Sequence, residues 1–258
     1  PDPLKNATHQ VFSRRQMVSL EETHTFAKFV NTGRFGFNRV IGNINDPVSG
    51  NSAATSSALA IAPGAKAPPQ IAISGYTTAI GLGGLNRFTH DWNSFQGTDD
   101  VYATIGKHQL GFGGMFDRMQ YNILEQLSPN GRMNGYASLV AFLTNQPHQL
   151  NALAPGQSHQ VAIRENMVAF YVHDDWRVKK NLTVNLGLRY EATTKPTDAN
   201  NNIQEITTLV NCGASPTACG PVHVGSFIAT NPTLKNFQPR IGFSYDPFGS
   251  GKTAIRGA

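Results

Sequence analysis

The chain has 258 residues, enough for one large domain or two small ones. Charged residues make up 14% and apolar residues 40%, whereas an ordinary soluble domain carries roughly 25% charge. A mean hydropathy of −0.28 and the lack of any run of about 18 apolar residues exclude a bundle of membrane-spanning helices. The net charge of +5 comes from scattered Lys and Arg, so we expect no nucleic-acid partner. A weakly charged, Gly-rich and Phe-rich chain favours β-structure, either a sandwich or a barrel.

The pattern predicts four antiparallel hairpins in chain order. Each pairs two segments that alternate apolar and polar residues, and each has a polar or Gly-containing turn between its segments. The predicted hairpins cover about residues 11–39 (turn 21–24), 93–121 (turn 106–107), 168–191 (turn 179–181) and 240–256 (turn 246–251).

Alternation is clearest in the third hairpin. Its second segment places five apolar side chains on one face: Leu182, Val184, Leu186, Leu188 and Tyr190. Its first segment does the same with Val168, Phe170, Val172, Trp176 and Val178, and Asp174 interrupts the series. The opposite face carries polar residues, so each strand has one apolar and one polar side.

Long connections separate the hairpins, at about residues 41–86, 122–163 and 193–236. The first holds a strand-like piece at 71–76, and the second a helix-like run at 135–145. Short turns therefore alternate with long loops along about eight strands. A soluble sandwich would give irregular connections at both ends, whereas an outer-membrane barrel has short turns at one end and long loops at the other.

A bilayer explains this arrangement. Lipid satisfies no backbone polar groups, so spanning strands must pair edge to edge and close into a barrel. The segments 94–105, 108–121, 166–178 and 182–192 are long enough for the roughly 9–11 residues that a crossing strand requires. The apolar face would meet lipid and the polar face the lumen. Aromatic residues near strand ends fit an interfacial girdle, or simply the strand preference of Trp and Tyr: Trp92, Trp176, Tyr190 and Tyr245.

The two cysteines, Cys212 and Cys219, bracket a short loop rich in Gly, Pro, Ser and Thr. This spacing favours a local structural disulfide over free thiols, and it would place the loop in an oxidising compartment. A zinc site is the weaker alternative, because His223 is the one further ligand nearby.

Residues 249–253 imitate a phosphate-binding loop. That motif needs Gly five positions before Gly251, but Asp246 stands there and would repel phosphate. The residues that follow predict a strand instead of the required helix. We therefore expect a tight turn and no nucleotide.

Two other polar groups invite a functional interpretation. Residues 173–175 offer a His and two carboxylates, but Asp174 should lie on the face opposite His173 and Asp175. Residues 198–202 resemble the start of a calcium loop that lacks the required Gly and Glu, which favours a solvated loop. We expect no catalytic, cofactor or metal-binding residues. We expect residues 173–175 to form a lumen-facing polar cluster that pairs with arginines such as Arg177 or Arg189. Other lumen candidates, which could line a passage or merely fill the wall, are Lys28, Arg34 and Asp117.

Three stretches resemble a known family. They are residues 170–191, with Asp-Asp-Trp-Arg-Val followed by Leu-Thr-Val-Asn-Leu-Gly-Leu-Arg-Tyr-Glu, residues 236–253, with Pro-Arg-Ile-Gly-Phe-Ser-Tyr-Asp, and residues 106–114. They are similar to the barrel region of TonB-dependent outer-membrane receptors, most closely the Oar-like group. The resemblance implies a barrel of about 22 strands, closed by a plug domain and energised through a TonB box.

The expected domain is therefore 1–258, a partial outer-membrane β-barrel domain without the plug and the remaining strands. The chain begins at Pro1 without Met and stops at Ala258 inside an apparent strand, which fits an internal piece. The expected function is substrate uptake or surface recognition in the outer membrane, without bond chemistry. The resemblance implies outer-membrane lipid, the TonB energy complex and an unidentified substrate as partners. A passive porin or adhesin barrel and a soluble carbohydrate-binding sandwich are the alternatives.

Overall fold

The computed structural model describes residues 10–45, 57–61, 65, 68–80, 87–126, 130–152, 158–206, 222–231 and 233–258. Within these ranges the strands are β1 (Gln10–Thr25), β2 (Phe29–Asn45), β3 (Gln70–Ile73), β4 (Thr77–Ile80), β5 (Arg87–Ile105), β6 (His108–Gln126), β7 (Arg132–Tyr136), β8 (Gln149–Asn151), β9 (Gln160–Lys179), β10 (Leu182–Thr193), β11 (Thr197–Asp198), β12 (Gln204–Ile206), β13 (Val222–Val224), β14 (Phe237–Tyr245) and β15 (Ile255–Gly257). One α-helix, α1 (Leu139–Leu143), and a 3₁₀ turn at Ser57–Leu59 complete the elements of the described ranges. None of the described helical segments is long and apolar enough to cross a bilayer.

The main sheet is an antiparallel meander in the order β1-β2-β5-β6-β9-β10-β14-β15, and β11 adds to β9. Short turns join β1 to β2, β5 to β6, β9 to β10 and β14 to β15 at one end. The three long connections leave from the other end. The predicted antiparallel fold, with short turns on one side and long loops on the other, is confirmed.

The strands are longer than predicted. β5 and β6 each have 19 residues and β9 has 20, which corresponds to roughly 60 Å at about 3.3 Å per residue. This is about twice the thickness of the hydrocarbon core, so these strands continue beyond the bilayer on the loop side. The first turn was predicted too early, because Glu21 and Arg34 pair within the β1–β2 ladder and the turn follows after Thr25.

The sheet has one apolar and one polar face, as the alternation predicts. The apolar face carries Val18, Leu20, Phe35, Phe37, Phe95, Phe112, Phe116, Phe170, Val172, Leu186, Leu188, Ile241 and Phe243. All of these side chains except the half-buried Phe37 are exposed, up to 71% for Ile241, whereas Ser94 and Asp117 on the polar face are 1% and 4% exposed. This difference fits a sheet that curves toward its polar face, because side chains on the concave side crowd together. No second layer of the described residues covers the apolar face.

The centre of the apolar face shifts along the sheet. This centre lies near Leu186 on β10 and near Phe37 on β2. The ladder pairs that start at Leu186, however, lead across the sheet to Phe29 on β2, eight residues before Phe37. The apolar band therefore runs obliquely to the strand ladder. Strands that tilt against the membrane normal give this stagger, which closure into a barrel requires.

The loop side carries a small sheet in the order β4-β3-β7-β8. Its β3–β7 pair is parallel and joins the first long connection to the second. Tyr136 and Ile73 are buried there, 3% and 4% exposed, and Tyr136 packs edge-on against Phe142 of α1. The predicted helix at 135–145 is therefore shorter, because its first residues belong to β7.

Candidate functional site

A charged cluster lies on the polar face near the turn side, and we call Glu21, Arg34, Asp100 and Tyr171 the Asp100 cluster. Arg34 Nε donates to Glu21 Oε2 at 2.6 Å, and Arg34 Nη1 donates to Asp100 Oδ2 at 2.7 Å. The Tyr171 hydroxyl donates to Asp100 Oδ1 at 2.6 Å. The four residues come from β1, β2, β5 and β9, so hydrogen bonds between side chains reinforce the backbone ladder across five neighbouring strands.

Two glycines on β6 make this cluster possible. A Cβ at Gly113 would lie 2.5 Å from Asp100 Oδ1 and 2.6 Å from the Asp99 carbonyl oxygen. A Cβ at Gly111 would overlap the His173 ring. Side chains of β5 and β9 therefore meet over the bare backbone of β6, which is the close approach that glycine in a strand permits.

Three rings lie over this glycine surface. Tyr171 and His173 are stacked with ring centroids 5.8 Å apart, and the Tyr102 ring lies 6.0 Å from His173. The hydroxyls of Tyr102 and Tyr171 are 3.4 Å apart. The arrangement offers flat aromatic surfaces and hydroxyl groups beside a carboxylate, which can hold a ligand by stacking and hydrogen bonding.

A second polar group is buried further toward the loop side. Asp117 accepts a hydrogen bond from Ser94 Oγ at 2.8 Å and another from Gln96 Nε2 at 3.0 Å. Asp117 is 4% exposed and Ser94 1%. Both carboxylate oxygens are therefore satisfied by neutral donors, which fixes the side chain within the wall.

A depression of about 300 Å³ adjoins the aromatic rings on the other side, with Tyr171, His173, Gly187, Arg189 and Arg240 in its wall. Arg189 forms an ion pair with Glu191 at 2.6 Å. Arg240 forms no ion pair with any described carboxylate. The depression thus presents a cation and aromatic surface to whatever occupies the concave side.

The structure separates the predicted group at residues 173–175 as expected. His173 and Asp175 lie on the polar face, where Asp175 accepts a hydrogen bond from Asn185 Nδ2 at 2.6 Å. Asp174 lies on the apolar face and pairs with His108, its Oδ2 being 2.7 Å from His108 Nδ1. The pairing with Arg177 or Arg189 that the sequence suggested is replaced by these local partners.

The other predicted residues have mixed outcomes. Arg34 and Asp117 belong to the two polar groups described above, whereas Lys28 lies in the β1–β2 turn. Trp176 and Tyr245 lie on the apolar face near the turns, as a girdle requires. Trp92 belongs to the polar face, opposite Val40 and Tyr121, so for this residue the strand preference of Trp is the interpretation that fits. Cys212 and Cys219 lie outside the described residues.

The Gly-rich segment after β14 is a turn, as predicted. The Asp246 carboxylate accepts backbone N–H groups of Gly251, Phe248 and Gly249 at 2.6, 3.1 and 2.9 Å. The bond from Gly251 contributes most to holding the pKa of Asp246 below its ordinary value. Asp246 therefore fills the anion-binding nest of its own turn, where a phosphate would have to bind.

Asp198 has a similar role on the loop side. Its carboxylate accepts backbone N–H groups of Ala162, Asn200, Asn202 and Ile203, at 2.8, 3.1, 2.6 and 3.2 Å. Burial alone would raise the pKa of Asp198, but these four hydrogen bonds outweigh burial and lower it. The predicted solvated loop is instead a fold around a buried carboxylate, which is 3% exposed.

The Asp100 cluster was not predicted, because its members are far apart in sequence. The signal that could have found it is the glycine pattern of β6, where Gly111 and Gly113 alternate with the outward Phe112. Among the residues that the structure describes, no three His, Cys, Asp or Glu side chains are grouped so as to hold a metal ion.

Comparisons with known proteins identify a family with this architecture. A family model described as an outer membrane beta barrel domain matches residues 1–258. No curated protein matches the chain. A solved structure of P. aeruginosa FpvA, bound to heterologous pyoverdines with iron, is 14% identical, with a TM-score of 0.42. The match covers 91% of this chain and 24% of that one, so the chain spans about a quarter of FpvA.

Proposed function

The chain belongs to the outer membrane β-barrel domain family and lies in the outer membrane, and we propose that it forms part of the wall of a TonB-dependent receptor. The proposed activity is uptake or surface recognition of a substrate, without bond chemistry. The motifs at residues 170–191 and 236–253 support this assignment and its Oar-like subgroup. In this proposal residues 1–258 are one section of a larger barrel, which a plug domain closes.

The observation that carries the proposal is the set of ordered polar and aromatic side chains on the polar face. Charged and aromatic side chains are fixed there by hydrogen bonds, as in the Asp100 cluster and at Asp117. Fixed side chains suit a wall against which another surface fits, because their rotamer entropy is already lost before contact. A wide, passive channel has less need of such ordered pairs.

The proposed mechanism begins at the loops. The β3–β7 pair joins the first two long connections. Asp198 links the third connection to β9 by accepting a hydrogen bond from the Ala162 backbone N–H. Substrate would be captured among these loops and then pass along the polar face once the plug moves. The disulfide between Cys212 and Cys219 is part of this proposal and would restrain the tip of the third loop.

The deciding experiment compares uptake with conductance in the full-length protein. An energised receptor should lose substrate uptake when the TonB complex is deleted, and it should show no steady conductance in a planar bilayer. A passive porin would conduct and would be indifferent to TonB. An adhesin would show neither TonB-dependent uptake nor conductance. Uptake that persists without TonB, or a stable open-channel current, would contradict the proposal.

A further inference from the structure

The continuous apolar rows of the sheet end on the loop side, where single apolar residues such as Ile41 are interspersed with polar ones. On five adjacent strands the next residue on the same face is polar. The pairs of last apolar and first polar residue are Val18 and Gln16 on β1, Phe37 and Arg39 on β2, Phe95 and Asn93 on β5, Phe116 and Arg118 on β6, and Val168 and Asn166 on β9. This boundary is where the apolar band of a membrane barrel gives way to lipid headgroups.

Four arginines lie in this polar border, which we call the arginine border: Arg14, Arg39, Arg118 and Arg164. The ladder makes them two diagonal pairs on neighbouring strands. Gln16 pairs with Arg39, which puts Arg14 diagonal to Arg39 on β1 and β2. Asn166 likewise pairs with Arg118, which puts Arg164 diagonal to Arg118 on β9 and β6. Diagonal neighbours in a sheet are about 7–8 Å apart.

The positive charge of the border is held in position but not neutralised. Arg118 Nη1 donates to Asn166 Oδ1 at 2.9 Å, and Arg164 Nη2 donates to Asn122 Oδ1 at 2.8 Å. Both acceptors are neutral amides. None of the four arginines forms an ion pair with a carboxylate of the described ranges, and Arg39 Nε has no hydrogen-bond partner there.

One carboxylate, Asp91 on β5, lies on the same face between the two pairs. It makes no ion pair with any of the four arginines in the described structure. The border therefore keeps an excess of positive charge, with guanidinium pairs on either side of β5. Planar guanidinium groups bind phosphate by paired, charge-assisted hydrogen bonds.

The long loops of outer-membrane barrels are extracellular, so the loop side of the apolar band meets the outer leaflet. We propose that the arginine border binds the phosphates of a glycolipid in this leaflet, a lipid whose headgroup carries two phosphates. Each arginine pair would hold one phosphate, while the acyl chains lie on the apolar face just below, along Phe37, Phe95 and Phe116. This inference rests on the outer-membrane location and is independent of what the barrel transports.

The test uses the full-length protein extracted from its own outer membrane in mild detergent, and it measures glycolipid phosphate bound per protein. The variant Arg118→Gln with Arg164→Gln keeps the hydrogen-bonding amides and removes two charges. We expect bound glycolipid to fall about tenfold, because charge-assisted hydrogen bonds to phosphate are among the strong ones. The matched control is Arg15→Gln with Arg256→Gln, which removes two charges from the polar face and should retain the wild-type amount.

A second measurement needs no variant. Delipidated wild-type protein should bind intact glycolipid and should bind enzymatically dephosphorylated glycolipid about tenfold more weakly. Vesicles of phosphatidylglycerol should compete poorly, because each headgroup offers a single phosphate. Equal binding of the dephosphorylated lipid, equal competition by phosphatidylglycerol, or equal loss of glycolipid in the control variant would overturn the proposal.

Discussion

Asp100 on β5 and Tyr171 on β9 share a hydrogen bond of 2.6 Å although β6 lies between their strands. The bond exists because β6 presents Gly113 at this height, with no side chain in the way. One small residue thus determines how three strands are joined on the polar face. The same carboxylate also accepts from Arg34, which extends the connection to β2.

The first prediction concerns Gly113. Gly113→Ala should destabilise the folded barrel by about 1–3 kcal/mol, because the new methyl group would meet both a side-chain and a backbone oxygen. Gly97→Ala is the matched control, since a Cβ there has nothing within 4 Å. Urea unfolding of the full-length protein in lipid vesicles measures the difference. Equal stability of the two variants would show that β5 and β9 do not meet over Gly113.

A second prediction tests the hydrogen bond itself. Tyr171→Phe keeps the ring stacked on His173 and removes the donor to Asp100, so the free energy of unfolding should fall by about 1.5–3 kcal/mol, as for hydrogen bonds to charged groups. Tyr76→Phe, at a loop position that is 69% exposed, should change it by less than about 0.5 kcal/mol. If Tyr171→Phe lost no more stability than Tyr76→Phe, the hydrogen bond from Tyr171 would not stabilise the fold. Arg34 would then be the partner that holds Asp100.

The third prediction tests the orientation of the sheet. Leu186→Arg places a charge on the apolar face and should destabilise the barrel by about 2–4 kcal/mol if the site lies near the bilayer midplane. Leu234→Arg, in the third connection and 59% exposed, is the control and should have little effect. The heat-modifiable gel shift of the full-length protein reports the assembled fraction. An unchanged shift for Leu186→Arg would contradict lipid contact at this position.

Periodicity in the sequence was sufficient to predict the faces and the hairpin order, because each strand has one apolar side: Leu186 and Phe112 alternate with polar residues as a bilayer requires. It was insufficient at the end of the first hairpin, where the consecutive polar residues 21–24 suggest a turn but continue the ladder, as the pair Glu21 and Arg34 shows. Contacts between distant strands, such as Asp100 with Tyr171, depend on register, which periodicity alone does not fix.

A fourth prediction addresses the cysteines of the third connection. If Cys212 and Cys219 form a disulfide, the peptide that carries both should gain no mass when unreduced protein is denatured in the presence of iodoacetamide. After reduction the same peptide should gain two carbamidomethyl groups. Mass spectrometry of the full-length protein measures both. Alkylation without reduction would favour free thiols, because only a thiolate reacts.

The last prediction concerns the buried carboxylate that fastens the third connection. Because the folded-state pKa of Asp198 is lowered, ionised Asp198 stabilises the loop fully above its ordinary pKa of about 4, and this contribution is lost as pH falls through the lower, folded-state pKa. Asp198→Asn should cost about 1–3 kcal/mol at pH 7, because an amide NH₂ would face the backbone N–H groups of Asn202 and Ile203.

Hydrogen exchange of the Asn202 amide measures this effect. Exchange should be faster in Asp198→Asn at pH 7, and the acid-induced loss of protection expected for the wild-type protein should be absent from the variant. Asp246→Asn is the control, since that carboxylate organises the β14–β15 turn at the opposite end of the sheet and should leave Asn202 unchanged. If protection of Asn202 were the same in wild type and Asp198→Asn, the carboxylate would not be what holds this loop against β9.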